Sequence, residues 1–298
     1  MHEDLKSARD GSRRSMARML SHIENGVETG WKYEGGVTTD DKSWKIMAIT
    51  GPPGVGKSVF IDQLMKAWGA RPLKVALLAV DPSSPLTGGA LLGDRIRMTC
   101  VDDDTVKDQL FVRSVGTRKS SGNVPLIVED MAHFLLEVGW EKIIIETVGS
   151  GQAELRCAAI ADRIVVVEGP GRGDGVQTEK AGLLELADVV IVNKSDLPGA
   201  EKHANELKES FALNDVNHPP VILTSALTGD GIDAAAERLL VLQTSPERKR
   251  AKARERLLAF HERQLITHPR YDEVLTSMIQ EQVSVGDAYQ HLMGENDE

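Results

Sequence analysis

Short apolar runs alternate along this chain with longer stretches of helical period. Lys45–Thr50, Val75–Val80, Ile143–Ile145, Ile164–Val167, Val189–Val192 and Val221–Leu223 are almost unbroken in apolar residues. Strands buried on both faces read this way. Leu110-Phe111-Val112 is a further short strand candidate. The segments between them, Val59–Leu64, Pro125–Val138, Thr178–Leu186 and Ala200–Phe211, read as helices. Residues 12–25 place Met16, Met19, Leu20 and Ile23 on one helical face, and Gly26 stops the helix. Strands alternating with helices predict an α/β fold, a doubly wound, mostly parallel sheet. Such sheets bind ligands beyond the carboxyl ends of their strands.

The pattern also divides the chain. Residues 1–42 form a helical extension with a polar, glycine-containing linker, and 43–230 carry the strands. Residues 231–298 have helical period only. There Leu257, Leu258, His261 and Leu265 make one stripe, and Tyr271, Val274, Leu275, Met278 and Ile279 another. A helical arm of this kind is expected to bury its stripes against the domain or a second chain.

Polar motifs fall where the apolar runs end. Gly51-Pro52-Pro53-Gly54-Val55-Gly56-Lys57-Ser58 follows the first strand and opens a helix at Val59. G-x-x-x-x-G-K-S is the phosphate-cradling loop of P-loop nucleotide triphosphatases. Its glycines let successive N–H groups face an anion, and the helix N-terminus adds its dipole. Lys57 is placed to reach the terminal phosphates, and the Ser58 hydroxyl to ligate Mg²⁺.

Asn193-Lys194-Ser195-Asp196 ends a later strand and selects the base. An ionised aspartate only accepts hydrogen bonds. Guanine offers it two adjacent donors, whereas adenine would leave it unpaired at about 1–3 kcal/mol. Asn193 is expected at the base edge and the Lys194 stem along the ring. Ser225, Ala226 and Leu227, after the next strand, read as a second base-contacting loop. GTP, with GDP as product, is the expected ligand.

Asp81, Asp94 and Glu146 are acids near strand ends that suit Mg²⁺, which takes hard oxygen ligands. Gln152 is a candidate for orienting the attacking water. Arg95, Arg97 and Lys180 are candidate partners for phosphate charge. The basic run Arg248-Lys249-Arg250, with Lys252, Arg254 and Arg256, reads as a solvated helix face.

Bulk properties narrow the class further. A net charge of −10 opposes a broad nucleic-acid interface. No apolar run approaches the roughly 20 residues of a membrane span. The acidic first residues lack the apolar core of a signal peptide, and Cys100 and Cys157 make no disulfide framework. A cytoplasmic protein is expected.

Taken together, Gly51–Ser58, Val80-Asp81-Pro82-Ser83-Ser84, Thr87–Met98, Ile145–Gln152 and Asn193–Asp196 resemble the MeaB/ArgK/MMAA GTPases. The likeness extends to the helix at 14–25 and the tail near 283–293 and so covers most of the chain. It implies a homodimeric G-protein chaperone of an adenosylcobalamin-dependent acyl-CoA mutase, with the C-terminal arm serving dimerisation. An adenosyltransferase is a second candidate partner.

The resemblance further implies Ser58, Asp81, Asp94 and Glu146 around Mg²⁺. Arg97 matches a switch-region arginine, and Lys180 a lysine implicated in stimulated hydrolysis. Lys57, Asp94, Arg97, Glu146, Gln152 and Lys180 are then the candidate catalytic set. Gly51, Pro53, Gly54, Val55, Gly56 and Val59 join the nucleotide contacts. One departure stands out. The family reads close to P-G-x-G-D-E-L-Q after the strand at 164–167, and this chain has Gly173-Asp174-Gly175-Val176-Gln177. The missing acid bears on partner contacts rather than on the nucleotide. Two alternatives share parts of the pattern. A nickel-insertion GTPase needs Cys/His clusters, which the spacing does not supply. A small-molecule kinase needs an acceptor pocket and base, which no motif supplies.

Overall fold

The computed structural model describes residues 2–31, 43–81, 98–116, 124–147, 160–171, 184–212 and 218–294, with only the backbone of 2, 81 and 124–126. Seven parallel strands form one sheet: β1 (Ile46–Thr50), β2 (Val75–Asp81), β3 (Leu110–Gly116), β4 (Lys142–Glu146), β5 (Arg163–Glu168), β6 (Val189–Val192) and β7 (Val221–Leu223). Their order is β3-β2-β4-β1-β5-β6-β7. Strands β1, β4, β5 and β6 are buried along their whole length, as their β-branched, nearly uniform apolar sequences require.

Register brings the strand ends together. Ile49 lies beside Glu146, Thr50 beside Val166, Glu168 beside Val192, and Val192 beside Leu223. The loops leaving β1, β4, β5, β6 and β7 therefore emerge along one edge of the sheet, at the strands' carboxyl ends.

The helices are α1 (His2–Arg9), α2 (Arg13–Glu24), α3 (Lys57–Gly69), α4 (Val124–Glu137), α5 (Ala200–Ala212), α6 (Ile232–Leu240), α7 (Pro246–Ile266), α8 (Tyr271–Ile279) and α9 (Val285–Met293). Ser12 caps α2 by accepting the Ser15 N–H, which fixes the start of that helix. Helix α1 has no counterpart in the apolar pattern, because among its described side chains only Leu5 and Ala8 are buried. Strand β3 runs past the expected Leu110–Val112. Arg113 interrupts its apolar pattern yet stays in the strand, since its guanidinium donates to Glu24 of α2 at 2.6 Å and to Ser21 at 3.1 Å. The helix expected over 178–186 lies outside the described residues apart from its last turn, 184–186.

The chain divides into two compact units, Met1–Arg250 and Ala251–Glu298. In the first, α6 is part of the main core: Ile232, Ala235, Ala236 and Leu239 are buried against α3 and the sheet. The Trp44 indole N–H donates to the Leu239 carbonyl at 2.7 Å and that of Trp68 to Ala236 at 3.0 Å. Both rings are thus buried with their polar atoms satisfied. Arg248 is also buried, and desolvation lowers its pKa, so the basic run is not uniformly a wet face. In the second unit Val274, Ala288 and Leu292 make a small core with Leu265, Tyr271 and Met278 packed on it. The remaining stripe residues are more open, with Leu257 68% and Ile279 82% exposed.

Candidate nucleotide site

Strand β1 delivers the chain into the loop at Gly51, where backbone sterics allow no other residue. Its φ is +141°, and a Cβ there would stand 2.0 Å from the Val167 carbonyl oxygen. At Gly56, φ is +92° and a Cβ would meet the Asn193 amide nitrogen at 2.6 Å. Gly56 is the N-cap of α3 and offers no side-chain cap, so the helix start is left to its own N–H groups. Lys57 is buried, and its ammonium donates to the carbonyls of Gly51 at 2.6 Å and Pro52 at 3.1 Å. Pro53 and Gly54 form the loop's turn, Val55 is buried beneath it, and Val59 is half-exposed on α3.

Ser58 Oγ donates to Glu146 Oε1 at 2.8 Å, joining the first turn of α3 to the end of β4. Glu146 is buried, and beside it Thr147 Oγ1 is buried and finds no hydrogen-bond partner among the described residues. Two ligands at right angles on Mg²⁺, each about 2.1 Å from it, stand about 3.0 Å apart. The Ser58 and Glu146 oxygens are at nearly that separation and are hard donors, so the residues present fit the ion. Asp81 ends β2 beside Gly116, and its side chain is not described. Asp94, Arg95, Arg97, Gln152 and Lys180 lie outside the described residues.

The base loops meet the phosphate loop through Asn193. Buried at the end of β6, its Nδ2 donates to the Val55 carbonyl at 2.9 Å. Its Oδ1 accepts from the Ala226 N–H at 3.0 Å and from Thr224 Oγ1 at 3.4 Å. One N–H of the amide and its oxygen thus bond to the protein, and the second N–H is a further donor. Asn193 thereby braces the phosphate loop against the 224–226 loop. Lys194 holds a left-handed backbone, φ 62°, and reaches back to donate to the Gly54 carbonyl at 2.8 Å. Its stem therefore lies over the phosphate loop. The exposed Asp196 carboxylate accepts from the buried Ser225 hydroxyl, which fixes its direction. Leu227 follows, 84% exposed.

One further acid was not legible as a site residue. Asp62, one turn beyond Ser58 on α3, is buried and bonded to Thr99 and Cys100. The signal for it is a charge inside the apolar helical run Val59-Phe60-Ile61-Asp62-Gln63-Leu64.

A parallel sheet whose strand ends carry a phosphate loop, a Ser–Glu oxygen pair and an oriented carboxylate in a second loop defines a P-loop GTPase. The family model described as "Methylmalonyl Co-A mutase-associated GTPase MeaB" matches residues 39–278. A protein of Pyrococcus abyssi is 39% identical over 236 residues, 77% of this chain and 72% of its own length. The GTPase ArgK of Escherichia coli is 32% identical over 209 residues, 67% of this chain and 61% of ArgK. The mitochondrial methylmalonic aciduria type A homolog of Mus musculus is 35% identical over 193 residues, 62% of this chain and 46% of that protein. The chain belongs to the MeaB/ArgK/MMAA family of P-loop GTPases. A crystal structure of a LAO/AO transport system kinase shares the fold, with a TM-score of 0.61 at 19% identity over 98% of this chain and 96% of that one.

Proposed function

We propose that this GTPase uses its nucleotide state to gate adenosylcobalamin loading of an acyl-CoA mutase of the methylmalonyl-CoA mutase type, and to protect or reactivate that enzyme. The observation that carries the reading is the Ser58–Glu146 contact. It ties the helix that receives the phosphates to the residue from which 147–152 departs, so a change at the γ-phosphate is felt in a loop a partner can read. The family description supplies the mutase.

In this reading GTP lies with its phosphates on the N–H groups at the start of α3 and its base between Lys194 and the 225–227 loop. Asp196, aimed by Ser225, accepts from the guanine ring N–H and 2-amino group. Ser58 and Glu146, with Asp81 and Asp94, would hold Mg²⁺. When bound, the ion neutralises charge on the phosphate oxygens. Lys57 exchanges its loop carbonyls for phosphate oxygens, a charge-assisted bond being the stronger. Gln152 orients the attacking water, and Arg97 and Lys180 meet charge building on the leaving phosphate. The water oxygen bonds to the γ-phosphorus as the bridging P–O bond breaks, giving GDP and phosphate. Turnover is slow in the isolated protein and rises when the mutase completes the site. The protein works in the cytoplasm as a homodimer, and an adenosyltransferase is a further partner. Among the described residues, no helix is long and apolar enough to cross a membrane.

The test is GTP hydrolysis by purified protein, alone and with a cobalamin-dependent acyl-CoA mutase. Stimulation of about tenfold or more, together with nucleotide-dependent binding to the mutase, is expected. Fast turnover alone that no mutase alters would reject the proposal. Asp196→Asn should shift preference from GTP to xanthosine triphosphate, whose C2 carbonyl accepts the amide donor.

A further inference from the structure

The helix that begins at the phosphate loop holds a second polar centre. Asp62 follows Ser58 by one turn on α3 and is buried among Phe60, Ile61, Leu64 and Met65. Its Oδ1 accepts the Cys100 backbone N–H at 2.8 Å. Its Oδ2 accepts the Thr99 hydroxyl at 2.9 Å and the Lys66 ammonium at 3.0 Å. Lys66 also donates to Thr99 Oγ1 at 2.7 Å, closing a triangle of side chains. Burial by itself raises the Asp62 pKa. The bonds from Cys100, Lys66 and Thr99 outweigh it and hold the carboxyl below its ordinary value. The Cys100 thiol responds in the opposite sense: desolvation and the Asp62 charge push it up to about 12. It remains a protonated group beside the carboxylate.

A charge set into an apolar helix face costs stability unless its bonds are complete. Fixing α3 to a short 3₁₀ turn would not need one, because apolar packing does that more cheaply. What the carboxylate adds is direction. It grips the backbone N–H of Cys100 and the hydroxyl of Thr99, and so sets the chain's position where Met98 leaves the stretch carrying Asp94 and Arg97. It takes hold from the same helix that bears Lys57 and Ser58.

The geometry points to Asp62 as a positioning residue for GTP hydrolysis, acting through Thr99 and Cys100 to hold residues 98–100 in register with the phosphate-binding turn of α3. The inference rests on the proposed function, in which Asp94 and Arg97 act at Mg²⁺ and the leaving phosphate, and so reads 82–98, which carries both, as the stretch that senses the γ-phosphate. Asp62 touches neither the phosphate loop's inner atoms nor the base loops in the bonds above. Its loss should therefore act on the chemical step rather than on nucleotide retention. A displacement of about 1 Å at a reacting group costs up to about a hundredfold in rate.

The experiment measures single-turnover GTP hydrolysis, GTP and GDP affinity, and thermal unfolding in Asp62→Asn and Thr99→Val, with Arg97→Ala as reference. Asp62→Asn should lower the hydrolysis rate about tenfold or more while the GDP Kd moves less than about threefold. Thr99→Val deletes one donor at nearly constant volume, so it tests the same link if Asp62→Asn does not fold. Its rate should fall in the same direction by a smaller factor. Unchanged rates in the folded variants overturn the inference, as does a GDP affinity that falls in step with the rate, which marks Asp62 as merely structural. If Arg97→Ala lowers the rate and Asp62→Asn does not, only this inference fails. If Arg97→Ala is itself silent, the reading of 82–98 falls and takes the inference with it.

Discussion

Asn193→Ala separates a brace from a base contact. The substitution removes the Nδ2 donor to Val55 and the Oδ1 acceptor for Ala226, bonded at 2.9 and 3.0 Å. Val55 and Ala226 are both buried, so their carbonyl and N–H would lose a partner without gaining full access to water. An orphaned buried group costs about 1–3 kcal/mol, so two cost about 2–6 kcal/mol, and we take about 4. The bond to Thr224 at 3.4 Å is too long to add much. In a domain of this size about 4 kcal/mol lowers Tm by about 8–16 °C. Because the loss loosens the phosphate loop and the base loop together, affinity should fall for GDP and also for bare pyrophosphate. Differential scanning fluorimetry with and without GDP, and titration calorimetry with each ligand, measure these effects. A variant with wild-type Tm and wild-type pyrophosphate affinity that lost only GDP binding would refute the brace and leave Asn193 a base contact alone.

Three more outcomes follow from the same geometry. Gly51→Ala drives a Cβ into the Val167 carbonyl, whereas Gly199, φ +90°, has open space around it. Denaturant unfolding should show Gly51→Ala costing about 3–5 kcal/mol and Gly199→Ala about 1–2 kcal/mol, equal losses sinking the steric argument. Lys194→Gly relieves a left-handed backbone but deletes the bond to Gly54, so stability should stay within about 1 kcal/mol while GTP affinity drops about tenfold by calorimetry. The Cys100 thiol is raised from an ordinary 9.0 to about 12, so its contribution to stability is complete below pH 9.0 and lost as pH rises toward 12. Alkaline unfolding curves should therefore diverge between wild type and Cys100→Ala in that window, and alkylation of native Cys100 at pH 8 should be slow.

The sheet was legible because six of its seven strands are short, dense apolar runs; β6 and β7 match the expected bounds residue for residue. Motifs at strand ends were legible for the same reason, since register alone carries them to one edge. Elements held by paired charges escaped the pattern. Strand β3 continues through Arg113, whose charge Glu24 meets, and α1 presents too few apolar positions to stand out. At Asn193 the motif gave the place, but its bonds to Val55 and Ala226 depend on how close those residues approach, which spacing does not encode. Asp62 is an acid inside an apolar helical run, and its partners Thr99 and Cys100 lie 37 and 38 residues along the chain, beyond the reach of local spacing.

The tryptophan pair has a practical consequence. Trp44 stands just before β1 and Trp68 in α3, yet both hand their indole N–H to carbonyls of α6, which lies beyond the last strand. Excising the chain after that strand would strip two large rings of their polar partners and open the floor of the sheet to water. The smallest portion able to fold and retain nucleotide therefore extends at least to Leu240, and a fragment ending near 230 should be recovered as an aggregate.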